Sequence, residues 1–233
     1  MTVSGWLRYS VVQRLLPGDV RSVLEIGAGK GAVGSLLARR YQYVGLEPDK
    51  KSFEAASTRI GSAGVVLCLR DEDYHPADPV DLVCAFEVLE HIEDDVGALK
   101  RWRTHLRPGK WLVVSVPAGR SRFGPTDERQ GHFRRYDRAD LVHALVEGGF
   151  EEVNVVNYAF PIGGLLLAAS DVRACRSPRA EEVTARTAES GRWMQPSRGI
   201  AHRLVAAPFT LVQRPFAGTD LGTGYVARAR RAK

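Results

Sequence analysis

Short apolar runs alternate with longer amphipathic ones from Ser22 to about Arg231, the rhythm of an α/β sheet. The runs Val23–Ile26, Tyr43–Leu46, Val65–Leu69, Asp81–Phe86, Trp111–Val116 and Glu152–Tyr158 predict strands. Near-continuous Val, Leu and Ile in several of them suits strands covered on both faces. Between them, Gly31–Arg40, Lys50–Ile60, Asp95–Leu106 and Arg138–Gly148 carry apolar residues at helical spacing. Pro108–Gly109 and Gly148–Gly149 read as stops. Ahead of the first strand, Met1–Pro17 predicts an amphipathic helix with Trp6, Val12 and Leu16 on or near one face.

After Tyr158 the rhythm breaks. Residues 160–217 hold two apolar stretches, Ile162–Ala169 and Leu204–Val212, among Gly, Pro and Arg. The run Gly222-Thr-Gly-Tyr-Val-Ala-Arg-Ala-Arg-Arg then alternates as a final strand would. The expectation is a single domain over residues 1–233. Its last two strands, otherwise a hairpin, are separated by a helical insertion at 160–217 that sits over the site as a cap or lid. A structureless loop of that length is uncommon in a compact domain.

Composition adds three constraints. A chain of 233 residues, 44% hydrophobic and 26% charged, can bury a full core without covalent staples. Cys68, Cys84 and Cys175 have no ligand-like or paired spacing, and read as reduced. The longest apolar run, Ala159–Ala169, is about half of the ~20 residues a spanning helix needs, and the start lacks a secretory core, so a cytoplasmic protein is expected. The net charge of +6 is uneven: residues 173–233 hold 12 Lys and Arg against 4 Asp and Glu. A negatively charged partner, such as a membrane surface touched peripherally, would be met there.

The segment Val23-Leu-Glu-Ile-Gly-Ala-Gly-Lys-Gly runs a buried strand into three glycines and then a helix. Glycine lets the chain turn sharply and lets a ligand approach the backbone. The helix N-terminus offers free N–H groups to an acidic or polar ligand group. Glu25, two residues before Gly27, can face a cationic amino group. Glu47 ends the second strand, 20 residues beyond Gly27, where a carboxylate accepts hydrogen bonds from ribose hydroxyls. The fourth strand, Asp81-Leu-Val-Cys-Ala-Phe, runs into the acidic turn Glu-Val-Leu-Glu-His-Ile.

These segments, with Leu-Arg-Pro-Gly-Lys-Trp-Leu-Val-Val-Ser-Val-Pro, resemble the successive motifs of class I S-adenosylmethionine-dependent methyltransferases, in order and spacing across roughly residues 20–160. The resemblance implies a Rossmann-like, doubly wound, mostly parallel seven-stranded sheet of order 3-2-1-4-5-7-6, with S-adenosylmethionine as cofactor. It implies that Gly27, Ala28 and Gly29 border the methionine part and that Glu47 holds the ribose. Asp71 or Glu72 would reach the adenine amine, although the turn around them departs from the family pattern. Phe86 and Glu87 would flank the sulfonium.

On the acceptor side, Phe123-Gly-Pro-Thr-Asp-Glu-Arg-Gln-Gly-His-Phe-Arg-Arg-Tyr-Asp-Arg packs acid, imidazole, guanidinium and phenol into one loop. His132, His91 and Asp127 are the candidates for deprotonating a nucleophile. Arg134, Arg135 and Tyr136 are the candidates for holding an anionic acceptor, or else they anchor the loop. The Gly-His-Phe-Arg-Arg-Tyr arrangement resembles a bacterial subgroup acting in polysaccharide, glycolipid and natural-product pathways. Methyl transfer to O or N of a small-molecule, nucleotide-sugar or lipid-linked acceptor is therefore expected. No metal-ligand cluster is evident, and none is expected. The glycine spacing does not fit the Gly-x-Gly-x-x-Gly of dinucleotide sites. No RNA-binding module accompanies the basic C-terminal quarter. A repurposed S-adenosylmethionine enzyme and a homodimer both stay open.

Overall fold

The computed structural model describes residues 1–176 and 200–233. Seven strands form one sheet: β1 (Ser22–Ile26), β2 (Gln42–Leu46), β3 (Val65–Leu67), β4 (Val80–Phe86), β5 (Leu106–Pro117), β6 (Phe150–Tyr158) and β7 (Gly224–Arg231). Their order is β3-β2-β1-β4-β5-β7-β6. β7 runs antiparallel to both neighbours, and the other pairings are parallel. This is the Rossmann-like topology implied by the resemblance.

Every residue of β4 is buried, as a strand covered on both faces requires. The alternation of Cβ directions splits the core into two layers. Leu24, Val83, Leu112 and Val114 pack with Leu99, Trp102, Leu141 and Leu145 of α4 (Asp95–Thr104) and α6 (Arg138–Glu147). Val23, Leu82, Cys84 and Val113 pack with residues of α1 (Val3–Leu15), α2 (Gly34–Leu37) and α3 (Lys50–Ile60). Two of these helices start at aspartate caps. The Ser52 N–H donates to Asp49 at 2.9 Å, and the Gly97 N–H donates to Asp94 at 2.9 Å.

Several boundaries depart from the periodicity. Regular helix covers only Gly34–Leu37 of the expected 31–40, because Leu36 and Arg40 bond back three residues, in tight turns. β5 begins at Leu106, so Pro108 and Gly109 lie inside a strand rather than ending a helix. They fall where the pairing with β4 shifts register between Val80 and Leu82, a place where a residue without an N–H does no harm. In α1 the fully buried stripe is Leu7, Val11 and Val12 with Leu15, while Trp6 and Leu16 are only partly covered. Cys68 lies just past β3 and is exposed, whereas Cys84 is buried opposite Glu25 of β1.

The described parts of the insertion include two helices, α7 (Gly163–Arg176), which packs on the short α5 (Pro125–Gln130), and α8 (Ile200–Val212), which packs on α1. Residues 177–199, and with them part of the basic excess, lie outside the described residues. Leu165, Leu204, Val205 and Leu211 are exposed on α7 and α8. Among the described residues, no helix is long and apolar enough to cross a membrane.

Candidate active site

The sheet order reverses between β1 and β4, and a crevice beyond the carboxyl ends of such strands is where open α/β sheets bind ligands. The chain leaves β1 through Gly27, whose φ is +70°. A Cβ at Gly27 would come within 2.5 Å of Val88 Cγ2, and a Cβ at Gly31 within 3.0 Å of the Ala56 Cα. Both glycines are therefore set by backbone angle and by space. The Ala28 N–H donates to the Leu46 carbonyl at 2.9 Å, which ties this turn to the end of β2.

Glu47 stands at that junction, almost buried. One of its carboxylate oxygens accepts from the Gly29 N–H at 2.7 Å and the other from the Asp49 N–H at 2.9 Å. Burial raises its pKa, against the pull of those two N–H groups. Glu25 is 2% exposed on the face shared with Val23, and accepts a hydrogen bond from the Tyr43 hydroxyl at 2.6 Å. Burial pushes its pKa up to about 8, against that bond and the charge of Arg8. Asp71 is turned the other way, accepting from the Trp102 indole N–H at 2.8 Å and from Arg101 at 3.4 Å. It anchors α4, while the neighbouring Glu72 is mostly exposed.

Past β4, Glu87 has a φ of +58°, a conformation that costs an L-residue roughly 1–2 kcal/mol. What holds it there is a convergence on one oxygen. Oε1 accepts from the Ser115 hydroxyl at 2.8 Å and the Tyr158 hydroxyl at 3.3 Å, and pairs with the Arg8 guanidinium at 3.2 Å. Burial opposes the charge on Arg8, and the attractions of Glu87, Tyr158 and Glu90 together outweigh it and raise the pKa. Phe86, 7% exposed, precedes Glu87 in the apolar layer shared with α1.

A second polar group forms where the turn after β4 meets the loop at 123–138. His132 Nδ1 lies 2.8 Å from Asp127 Oδ1, and Arg135 Nε donates to Asp127 Oδ2 at 2.8 Å. Burial works against the Asp127 charge, but its bonds to His132 and Arg135 win and lower its pKa. The His91 and His132 rings meet edge to face with centroids 4.7 Å apart. Glu90 is completely buried, 3.9 Å from His132 Nε2. Burial, then the charge of Glu87, pushes its pKa well up, while burial and then His132 lower that of His91 to about 4. Glu90, His91 and His132 each offer a ligand atom within 4.8 Å of the others. This grouping was not evident from the sequence. The residues are separated by 41 positions between His91 and His132, too far for ligand spacing to reveal.

The residues expected to hold the acceptor are occupied elsewhere. Arg135 is 5% exposed and reaches Asp127 and the Ala118 carbonyl. Tyr136 is 2% exposed and donates to Asp95 at 2.7 Å; burial, then that bond, raise its pKa. Arg134 pairs with Asp95 at 3.0 Å and donates to the Glu93 carbonyl. These bonds fasten the loop, the other of the two readings the sequence left open for these residues. Arg8, Ser115, Tyr158, Tyr43 and Glu90 were given no role in the sequence reading. Arg8 left a signal, a charge inside the apolar stripe of α1.

The fold defines the class: a Rossmann-like α/β protein, in which the glycine turn after β1 touches Val88 of the turn after β4. A model of the methyltransferase domain family matches residues 8–155, and the chain belongs to that family. Among curated relatives, the ubiquinone biosynthesis O-methyltransferase of Bradyrhizobium diazoefficiens is 33% identical over 40% of this chain and 39% of its own length. The "Probable S-adenosylmethionine-dependent methyltransferase" of Mycobacterium tuberculosis is 31% identical over 63% of this chain and 55% of its own. The matched part thus spans about half the length of these relatives or less. A solved SAM-dependent methyltransferase of Thermotoga maritima shares the fold, with a TM-score of 0.61 and 21% identity over 98% of this chain and 88% of its own.

Proposed function

We propose that the protein transfers a methyl group from S-adenosylmethionine to a hydroxyl oxygen of a small acceptor, free or carried on a nucleotide or lipid. The observation that carries this reading is the close approach of Gly27, in the turn after β1, to Val88, in the turn after β4, which sets the β1–β2 junction near the buried cluster. In the cradle, Gly27, Ala28 and Gly29 border the methionine part and Glu25 faces its ammonium group. Glu47 exchanges one of its present N–H partners for ribose hydroxyls. Glu72 takes the adenine amine, because Asp71 is held by Trp102 and Arg101. Phe86 and Glu87 flank the sulfonium.

The reaction is an in-line displacement. The acceptor oxygen forms a bond to the methyl carbon while the carbon–sulfur bond breaks. Its electron pair returns to sulfur, giving S-adenosylhomocysteine. The donor is already activated, so the protein contributes alignment and a way for the hydroxyl to lose its proton. His132, His91 and Asp127, with Glu90, supply acceptor groups of the kind a hydroxyl needs and a neutral amine does not. This favours oxygen over nitrogen. Incubation with methyl-tritiated S-adenosylmethionine and a panel of hydroxylated sugars, sugar nucleotides and lipid-linked glycans tests the reading. Label should enter a hydroxylated acceptor as a base-stable ether. Label found only in amines, or S-adenosylmethionine left unbound, would overturn it.

A further inference from the structure

We infer that Glu90, His91 and His132 form a binding site for one divalent transition-metal ion, with Asp127 holding His132 in ligating orientation. The cluster is short of hydrogen-bond partners. Both oxygens of Glu90 are buried without a hydrogen-bond partner, and so is Nδ1 of His91. His132 gives its Nδ1 side to Asp127, which leaves the Nε2 lone pair facing Glu90 at 3.9 Å, beyond hydrogen-bonding distance. The His91 ring hydrogen-bonds the Gly131 carbonyl, so its unpartnered nitrogen also presents a lone pair.

Two imidazole lone pairs and a carboxyl without hydrogen-bond partners therefore converge, in a place where each unpaired buried group costs about 1–3 kcal/mol. The nearby cationic side chains are committed: Arg135 to Asp127, Arg8 to Glu87 and Arg134 to Asp95. A bound cation satisfies all three groups at once. Metal–ligand bonds of about 2.0–2.2 Å bring such atoms to roughly 3–3.5 Å from one another. The present spread, 4.8 Å at most, closes to that by small side-chain rotations. Two imidazoles and one carboxylate suit borderline ions such as Mn²⁺, Fe²⁺, Co²⁺ or Zn²⁺. A carboxylate behind one histidine and a backbone carbonyl behind the other are the outer partners that fix the tautomers of ligating histidines.

With three protein ligands the ion keeps open positions, as catalytic sites do. What the ion does rests on the methyl-transfer reading above. An acceptor hydroxyl bound there loses its proton to water more easily, and the resulting alkoxide attacks the methyl carbon. The acceptor is then one whose hydroxyl can coordinate a metal, best with a second oxygen beside it.

The test uses the full chain, stripped with chelator and titrated with Mn²⁺ alone, bound ion being read from loss of the free-ion paramagnetic resonance signal. S-adenosylmethionine is titrated separately by calorimetry. One Mn²⁺ per chain is expected, with affinity reduced at least about tenfold in both Glu90→Gln and His132→Asn. Retained S-adenosylmethionine binding in these variants shows that they fold. No Mn²⁺ bound at millimolar concentration, or equal binding in both variants, would overturn the site while leaving the methyl-transfer reading intact. Mn²⁺ bound as expected by a protein that ignores S-adenosylmethionine would keep the site and remove its assigned use.

Discussion

Affinity for S-adenosylmethionine should rise about thirtyfold between pH 5.5 and 7.0, because Glu25 must lose a proton to face the cofactor's ammonium group. With a pKa of about 8 in the cofactor-free protein, Glu25 is ionised in well under 1% of molecules at pH 5.5. At pH 7.0 the ionised fraction is roughly a tenth. If the cofactor binds only the ionised form, the ratio of these fractions is the ratio of apparent affinities, worth about 2 kcal/mol. Calorimetry at three pH values and constant ionic strength measures it, and buffers of different ionisation enthalpy count the protons released. Glu25→Gln keeps an acceptor for the Tyr43 hydroxyl, bonded at 2.6 Å, but has no proton to lose. Its affinity should be lower at pH 7.0 and its pH slope much shallower. An affinity that is flat with pH, or an equal slope in Glu25→Gln, would refute the placement of Glu25 against the ammonium group.

The same shift has a consequence for stability. Because the folded pKa of Glu25 lies above its unfolded value, its contribution is fully present below about pH 4.5 and is lost as pH rises through about 8. The cofactor-free Tm should therefore fall less over pH 5–8 in Glu25→Gln than in the natural chain; equal profiles would contradict this. Gly27→Ala meets a φ of +70° and Val88 Cγ2 at 2.5 Å, so thermal unfolding should show a loss of at least about 1–2 kcal/mol. Asp71→Ala strands the buried Trp102 indole N–H and should cost about 1–3 kcal/mol in denaturant unfolding, with little change in cofactor affinity. A large affinity loss at unchanged stability would return Asp71 to the adenine.

The strands and the glycine turn after β1 were legible because both are local, while the strand order came from the family resemblance. Continuous apolar runs mark β1, β4 and β5, and the Gly27–Gly31 turn and Glu47 follow their strands directly in the chain. Side-chain partnerships across long separations were not. Arg135 and Tyr136 carry the same chemistry whether they clasp a ligand or bind Asp127 and Asp95, and only their burial separates the two. Arg8 meets Glu87, and His132 meets Glu90, only because the sheet order brings α1 and the 123–138 loop to the end of β4. Asp71 stands in the right stretch of sequence for a cofactor ligand, but Trp102, 31 residues away, takes it.

The central claim is that the β1–β2 junction holds S-adenosylmethionine through Glu47. Calorimetric titration of the natural chain and of Glu47→Ala with S-adenosylmethionine tests it most directly, with NAD as the control ligand. The account predicts micromolar binding of S-adenosylmethionine by the natural chain, its loss in Glu47→Ala, and no uptake of NAD. Binding that survives Glu47→Ala unchanged, or a preference for NAD, would contradict it.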